Sequence, residues 1–256
     1  MRVEKRVRFV VSTFIMLALF ILSSMFEFNA VWIFIPAFII IAYVLTYFSV
    51  LEGIEKIEWL MLFLMPVLFS VSFYLFFHLF PIRWLTRVPF LTIYGISFYA
   101  ILLTSNIFNV GVEKNIQLHR AAFSVNYFYQ SLLFFLLSNV LLSFRSNFVV
   151  NGVVFFIAAF LLSAQLLWTV LLENKLSREV LGYSLFISFI IAQAGIAMSF
   201  MPIRSSIYSL FMTACYYSLT GLTYHHIDQR LFKKVVQEYL FVLAMVAFLT
   251  VLSVAW

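Results

Sequence analysis

Charge is scarce in this chain. Asp, Glu, Lys and Arg make up 10% of its 256 residues, where an ordinary soluble domain carries about 25%. That scarcity excludes a water-soluble enzyme, a disordered tail and a nucleic-acid-binding domain, because a soluble fold of this length needs polar side chains to cover its surface. Cysteine is scarcer still. Cys215 stands alone within an apolar stretch, so neither an intramolecular disulfide nor a cysteine-rich metal site can form. Seven glycines in 256 residues fall well short of the roughly 7% of average proteins, and membrane helices are commonly richer. Transporters with broken helices use Gly and Pro to expose backbone at mid-membrane, so the shortage weighs against that mechanism. Motifs are missing too: the chain has no G-x-S-x-G elbow, P-loop, dinucleotide fingerprint or H-E-x-x-H pair. No cofactor is expected.

What the chain has in abundance is apolar length. Hydrophobic residues reach 65%, Phe alone numbers 33, and the mean hydropathy is +1.08. A membrane span needs about 20 largely apolar residues, and nine stretches meet that need: 9–26, 29–49, 59–79, 88–109, 122–144, 148–171, 180–201, 205–222 and 236–255. Their continuous apolar character excludes a β-barrel, whose strands alternate over about 10 residues. The expected fold class is therefore all-α, a polytopic bundle of about nine transmembrane helices forming one membrane domain over 1–256. The eighth stretch is short and rich in Ser, Thr and Tyr, and a re-entrant or interfacial segment is its alternative. The basic start runs into an apolar stretch that lacks a good cleavage site, so the first span is expected to remain uncleaved. Pro36 and Pro66 lie inside spans and predict kinks. Pro89 is placed near the start of the fourth span, where proline costs little.

Lys and Arg set the orientation. One set of alternating connections holds Arg2, Lys5, Arg6, Arg8, Lys56, Lys114, Arg120, Lys175, Arg178, Arg230, Lys233 and Lys234; the other holds Arg83, Arg87, Arg145 and Arg204. A bias of this size puts the N-terminus in the cytoplasm and the C-terminus outside, in a cytoplasmic (inner) membrane. It also accounts for the net charge of +6 without invoking nucleic acid. Trp32, Trp59, Trp84, Trp168 and Trp256 near span ends read as interfacial anchors.

No Asp, Glu, Lys or Arg lies near the middle of any span, where ion-coupled transporters place one. The polar residues inside are amides and hydroxyls. Asn126 and Gln130 share a face of the fifth span, and Gln165 and Gln193 lie near the middle of the sixth and seventh. An amide in hydrocarbon needs a partner, so these side chains either tie helices together or line a polar cavity. Ser184, Ser188, Ala192, Gly195 and Ser199 recur every three or four residues in the seventh span. They predict close helix packing, against the eighth span through Ala214, Ser218 and Gly221 or against a second copy. On the outer side, His78, Arg83, Arg87, Arg145 and Arg204 are candidate contacts for anionic headgroups, since a guanidinium matches phosphate; independent snorkelling of each is the plainer account. His225, His226 and Asp228 are weak metal-ligand candidates, because three or four converging ligands are needed.

The residues point to a non-enzymatic structural or accessory membrane subunit. A transporter or flippase for a lipid-linked or weakly polar substrate is the first alternative, and an enzyme acting on a lipid phosphate is the second. Expected partners are membrane lipids and another membrane protein or a second copy, with no nucleic acid.

Overall fold

A computed structural model of the chain describes residues 4–26, 31–50, 58–81, 83–110, 116–171 and 175–254. Among them it is all-α, with nine helices: α1 (Lys5–Ser24), α2 (Val31–Val50), α3 (Glu58–Phe77), α4 (Trp84–Asn109), α5 (Ile116–Ser143), α6 (Phe148–Leu171), α7 (Arg178–Met198), α8 (Ser205–Ile227) and α9 (Lys233–Leu252). Eight are long and apolar enough to cross a membrane, so this is a polytopic membrane fold. The exception is α8, whose 23 residues are long enough at about 1.5 Å each but polar in content. Its hydroxyls are turned back on its own backbone: Ser209 donates to Ser205 O, Thr213 to Ser209 O, Thr220 to Tyr216 O and Thr223 to Leu219 O. Hydroxyls bonded in this way make a polar helix compatible with an apolar setting. Residues 29, 30 and 255 of the expected spans, together with Arg2, Lys56, Lys114 and Trp256, lie outside the described residues.

The helices group into two compact units, 1–129 and 130–256, with the division falling inside α5. In the first unit, α1 packs on α2 and α4, α2 on α3 and α4, and α3 on α4. Aromatic rings fill its core. Phe20 touches Phe38, Phe73, Tyr74, Phe77 and Tyr94 at centroid distances of 4.9–6.2 Å. Polar ties join α1 to α2: Ser12 and Ser49 share a buried hydrogen bond of 2.8 Å, and Arg8 donates to Phe48 O. Pro66 lacks the N–H that would pair with the carbonyl of Leu62, four residues back. Ser105 of α4 supplies the missing donor, its hydroxyl 3.3 Å from Leu62 O.

Two expectations change here. Helix α4 starts at Trp84 rather than 88, because the Arg83 N–H is taken up by the Thr86 hydroxyl at 3.1 Å. Pro89 therefore sits in the second turn, where its absent N–H does remove a helical bond. Trp32, Trp59 and Trp84 are exposed as interfacial anchors would be, but Trp168 is only 2% exposed and belongs to the core.

In the second unit, α6 and α7 form the most extensively packed pair, and α8 packs on α6, α7 and α9. Gly195 is where α7 is approached most tightly: a Cβ there would lie 2.7 Å from Phe155 Cδ2 of α6 and 3.5 Å from Met212 Cε of α8. Gly152 makes the reciprocal approach, with a Cβ 2.7 Å from Ile196. Ser177 caps α7 by accepting the Val180 N–H, and Glu179 follows in the first turn, where the helix dipole favours an acid.

Candidate functional site

The mid-helix amides meet very different surroundings. Gln130 of α5 and Gln165 of α6 are 0% and 2% exposed. The Gln130 amide donates to the Gln165 side-chain oxygen and to Leu162 O at 2.9 Å, and its own oxygen accepts the Tyr216 hydroxyl of α8 at 2.8 Å. Three helices are thus joined through one side chain. The Tyr216 ring is held in place by stacking on Phe134, one turn along α5 from Gln130, at 4.4 Å and 7°. Asn126 is also buried, one turn before Gln130. Gln193 stands apart, exposed on α7. Sequence reasoning grouped Gln130 and Gln165 with Asn126 and Gln193 as interior amides without assigning their partners, and it missed Tyr216, which nothing in its Tyr-rich neighbourhood distinguishes from Tyr217.

The small-residue stripe of α7 is inside its unit. Ser184, Ser188 and Gly195 are buried, while Ala192 and Ser199 are partly so. It serves α6 as well as α8: Ser199 accepts the Asn151 amide of α6 at 3.0 Å, and Tyr208 of α8 donates to Gly195 O. Ser218, expected against α7, donates to Tyr239 O of α9 at 3.3 Å.

The basic residues expected on the outer side are distributed over both units. In the first, Arg87 of α4 donates to Ser24 O at 2.9 Å, placing a cation on the C-terminal carbonyls of α1, where the dipole favours it. His78 is half-buried and donates through Nδ1 to Tyr74 O at 2.9 Å. Arg83 is exposed just before α4. In the second, Arg145 is exposed after α5 with a left-handed φ of 48°, and Arg204 is exposed before α8. Each of these two arginines is placed by a helix end.

His225, His226 and Asp228 follow the 205–222 stretch at the end of α8. No group of three His, Cys, Asp or Glu side chains that could hold a metal comes together among the described residues. Asp228 pairs instead with Arg230 at 3.4 Å. His225 lies against the rings of Tyr224 and Tyr239, and its Nδ1 is buried with no hydrogen-bond partner among the described residues. Burial holds its pKa below the usual 6.5, opposed by Asp228 and Glu238 and assisted by Arg230.

Concave surfaces line these helices among the described residues. Within the first unit, an open groove of about 380 Å³ runs between α1 and α4, walled by Val10, Thr13, Phe14, Leu17, Leu91, Thr92, Gly95, Ile96 and Tyr99. On α7, a recess of about 440 Å³ is lined by Arg178, Glu179, Gly182, Tyr183 and Phe186.

No curated protein and no solved structure matches the chain. A family model does match, over residues 51–253, and its description is a protein of unknown function, DUF5656. That match takes in α3 to α9 and most of the chain, and the chain, a polytopic membrane protein, belongs to the DUF5656 family of proteins of unknown function.

Proposed function

We propose that this protein is a non-catalytic structural or accessory subunit of a membrane assembly. The observation that carries the reading is the closed Gln130–Gln165–Tyr216 network. A solute site keeps donors and acceptors open toward a cavity, whereas here both N–H groups of Gln130 and its oxygen are engaged by other helices. Such bonds hold helices in register. The subunit sits in the cytoplasmic membrane with its N-terminus inside and its C-terminus outside, which the distribution of Lys and Arg supports. In this orientation α8 completes a crossing, so that Arg230, Lys233 and Lys234 face the cytoplasm with the other basic connections.

A second reading, a lipid-handling protein, is favoured by the α1–α4 groove, whose almost wholly apolar walls suit an acyl chain. Purification from native membranes in mild detergent, with mass spectrometry of proteins and lipids, separates the two. A stoichiometric protein partner is the expected result. A specifically enriched anionic or polyprenyl lipid without a protein partner would overturn the subunit reading in favour of the lipid one.

A further inference from the structure

Gln193 is an amide without a hydrogen-bond partner among the described residues. It lies roughly 22 Å along α7 from Arg178 and roughly 8 Å from Met198, where the helix ends, at 1.5 Å per residue, with apolar residues on either side of it. It is exposed, and it makes no hydrogen bond to any described residue. Two donors and an acceptor facing lipid tails carry a standing penalty that a partner would remove.

The surroundings of Gln193 have the form of a helix-docking face. At about 100° per residue, Gly182, Phe186 and Phe189 all fall within about 40° of Gln193, and all are exposed. The face lies opposite the buried Ser184, Ser188 and Gly195, which are spent on α6 and α8. The recess near its inner end is walled by Glu179, Gly182, Tyr183 and Phe186. Their i, i+3, i+4, i+7 spacing is that of the hole which receives a side chain from a facing helix. Gly182 opens the hole, since a Cβ there would meet nothing within 4 Å.

We propose that two copies of this chain associate through this face of α7, with Gln193 of each copy hydrogen-bonded to Gln193 of the other. The chemistry selects a second copy. Two copies inserted the same way are related by a twofold axis along the membrane normal, which brings each residue opposite itself at the same depth. A primary amide complements itself, donating and accepting at once. The same axis sets Arg178 of one copy beside Glu179 of the other, and these exposed neighbours of opposite charge flank the stripe at one level. The inference stands whether the protein is an accessory subunit or handles lipid.

The test begins with Gln193→Cys in a Cys215→Ser background, oxidised in native membranes. A disulfide-linked dimer is expected at 193 and at Phe186→Cys. None is expected at Ile157→Cys of α6 or Phe241→Cys of α9, which are equally open positions at 51% and 69% exposure. Gln193→Leu and Gly182→Leu, reconstituted in lipid vesicles and followed by energy transfer between labelled copies, should each raise the dimer dissociation constant about tenfold. Neither change should alter helix content or melting of the isolated chain. A wild-type chain that stays monomeric, crosslinking as strong at the α6 and α9 controls, or linkage of residue 193 to a different protein would overturn the proposal. The crosslinks remain readable if either leucine variant fails to fold.

Discussion

At Gln130, one side chain has both of its hydrogens and its oxygen engaged by α6 and α8. Removing it takes one hydrogen bond each from the Gln165 oxygen, the Leu162 carbonyl and the Tyr216 hydroxyl. Gln130→Leu should therefore cost about 1–2 kcal/mol in detergent unfolding, near the upper end for interhelical hydrogen bonds in membranes. Tyr216→Phe, which gives up one bond and keeps the stack on Phe134, should cost less than half as much. A larger loss for Tyr216→Phe would mean that Tyr216, not Gln130, organises the network. His225 makes a separate prediction. A histidine whose folded pKa lies below 6.5 contributes stability that is complete above the unfolded value and is lost as pH falls through the folded one. Melting temperatures between pH 7.5 and pH 5 should thus fall more in the wild type than in His225→Phe. Equal falls would rule His225 out as the acid-sensitive group.

At the scale of the helix, two glycines of α7 divide its faces. Gly195→Ala places a Cβ 2.7 Å from Phe155 and should destabilise by about 1–3 kcal/mol, as overpacking does. Gly182→Ala meets nothing and should be neutral or slightly stabilising, since alanine is the better helix former. Thermal unfolding of the pair checks the contrast. The Ser105–Leu62 bond of α4 and α3 is tested by a double-mutant cycle. Ser105→Ala should cost about 1 kcal/mol beside Pro66 and measurably less beside Pro66→Ala, where residue 66 can donate to Leu62 itself. Additive effects would show that the serine is not covering for the proline.

These elements also mark where sequence was legible and where it was not. Hydrophobic runs located eight of the nine helices among the described residues, because the length of hydrocarbon to be crossed is written directly in apolar residues, and the shorter, polar 205–222 stretch marked α8 less clearly. Helix ends were read less well: α4 begins before its apolar run, because a helix stops at its caps, not at the edge of the oil. Partners were the least legible. Gln165 and Gln193 are the same residue in successive apolar helices, yet one is buried in a network and the other exposed. Which face of a helix meets its neighbours depends on packing of the whole unit, and the low amphipathicity of helices in lipid hides it from periodicity.

For the molecule as a whole, the prediction concerns sidedness. Reporter fusions after Arg145 and after Arg204 should read as external, and fusions after Lys175 and after Arg230 as cytoplasmic. Arg204 and Arg230 are separated by α8: if fusions after these two report the same side, that helix does not cross. Moving two basic residues into the 144–147 connection should weaken or invert the local orientation, since short loops carry the bias.

The hydroxyl-rich α8 has a consequence for how the chain is made. A helix this polar is a poor guest for lipid when it leaves the ribosome, and it is delivered before α9. Its anchoring partners are Gln130 on α5, Phe155 on α6 and the Gly195 carbonyl on α7, and they are all synthesised ahead of it. Insertion of α8 is then a docking event onto helices already waiting in the bilayer, and the order of translation matches the order in which those helices are needed.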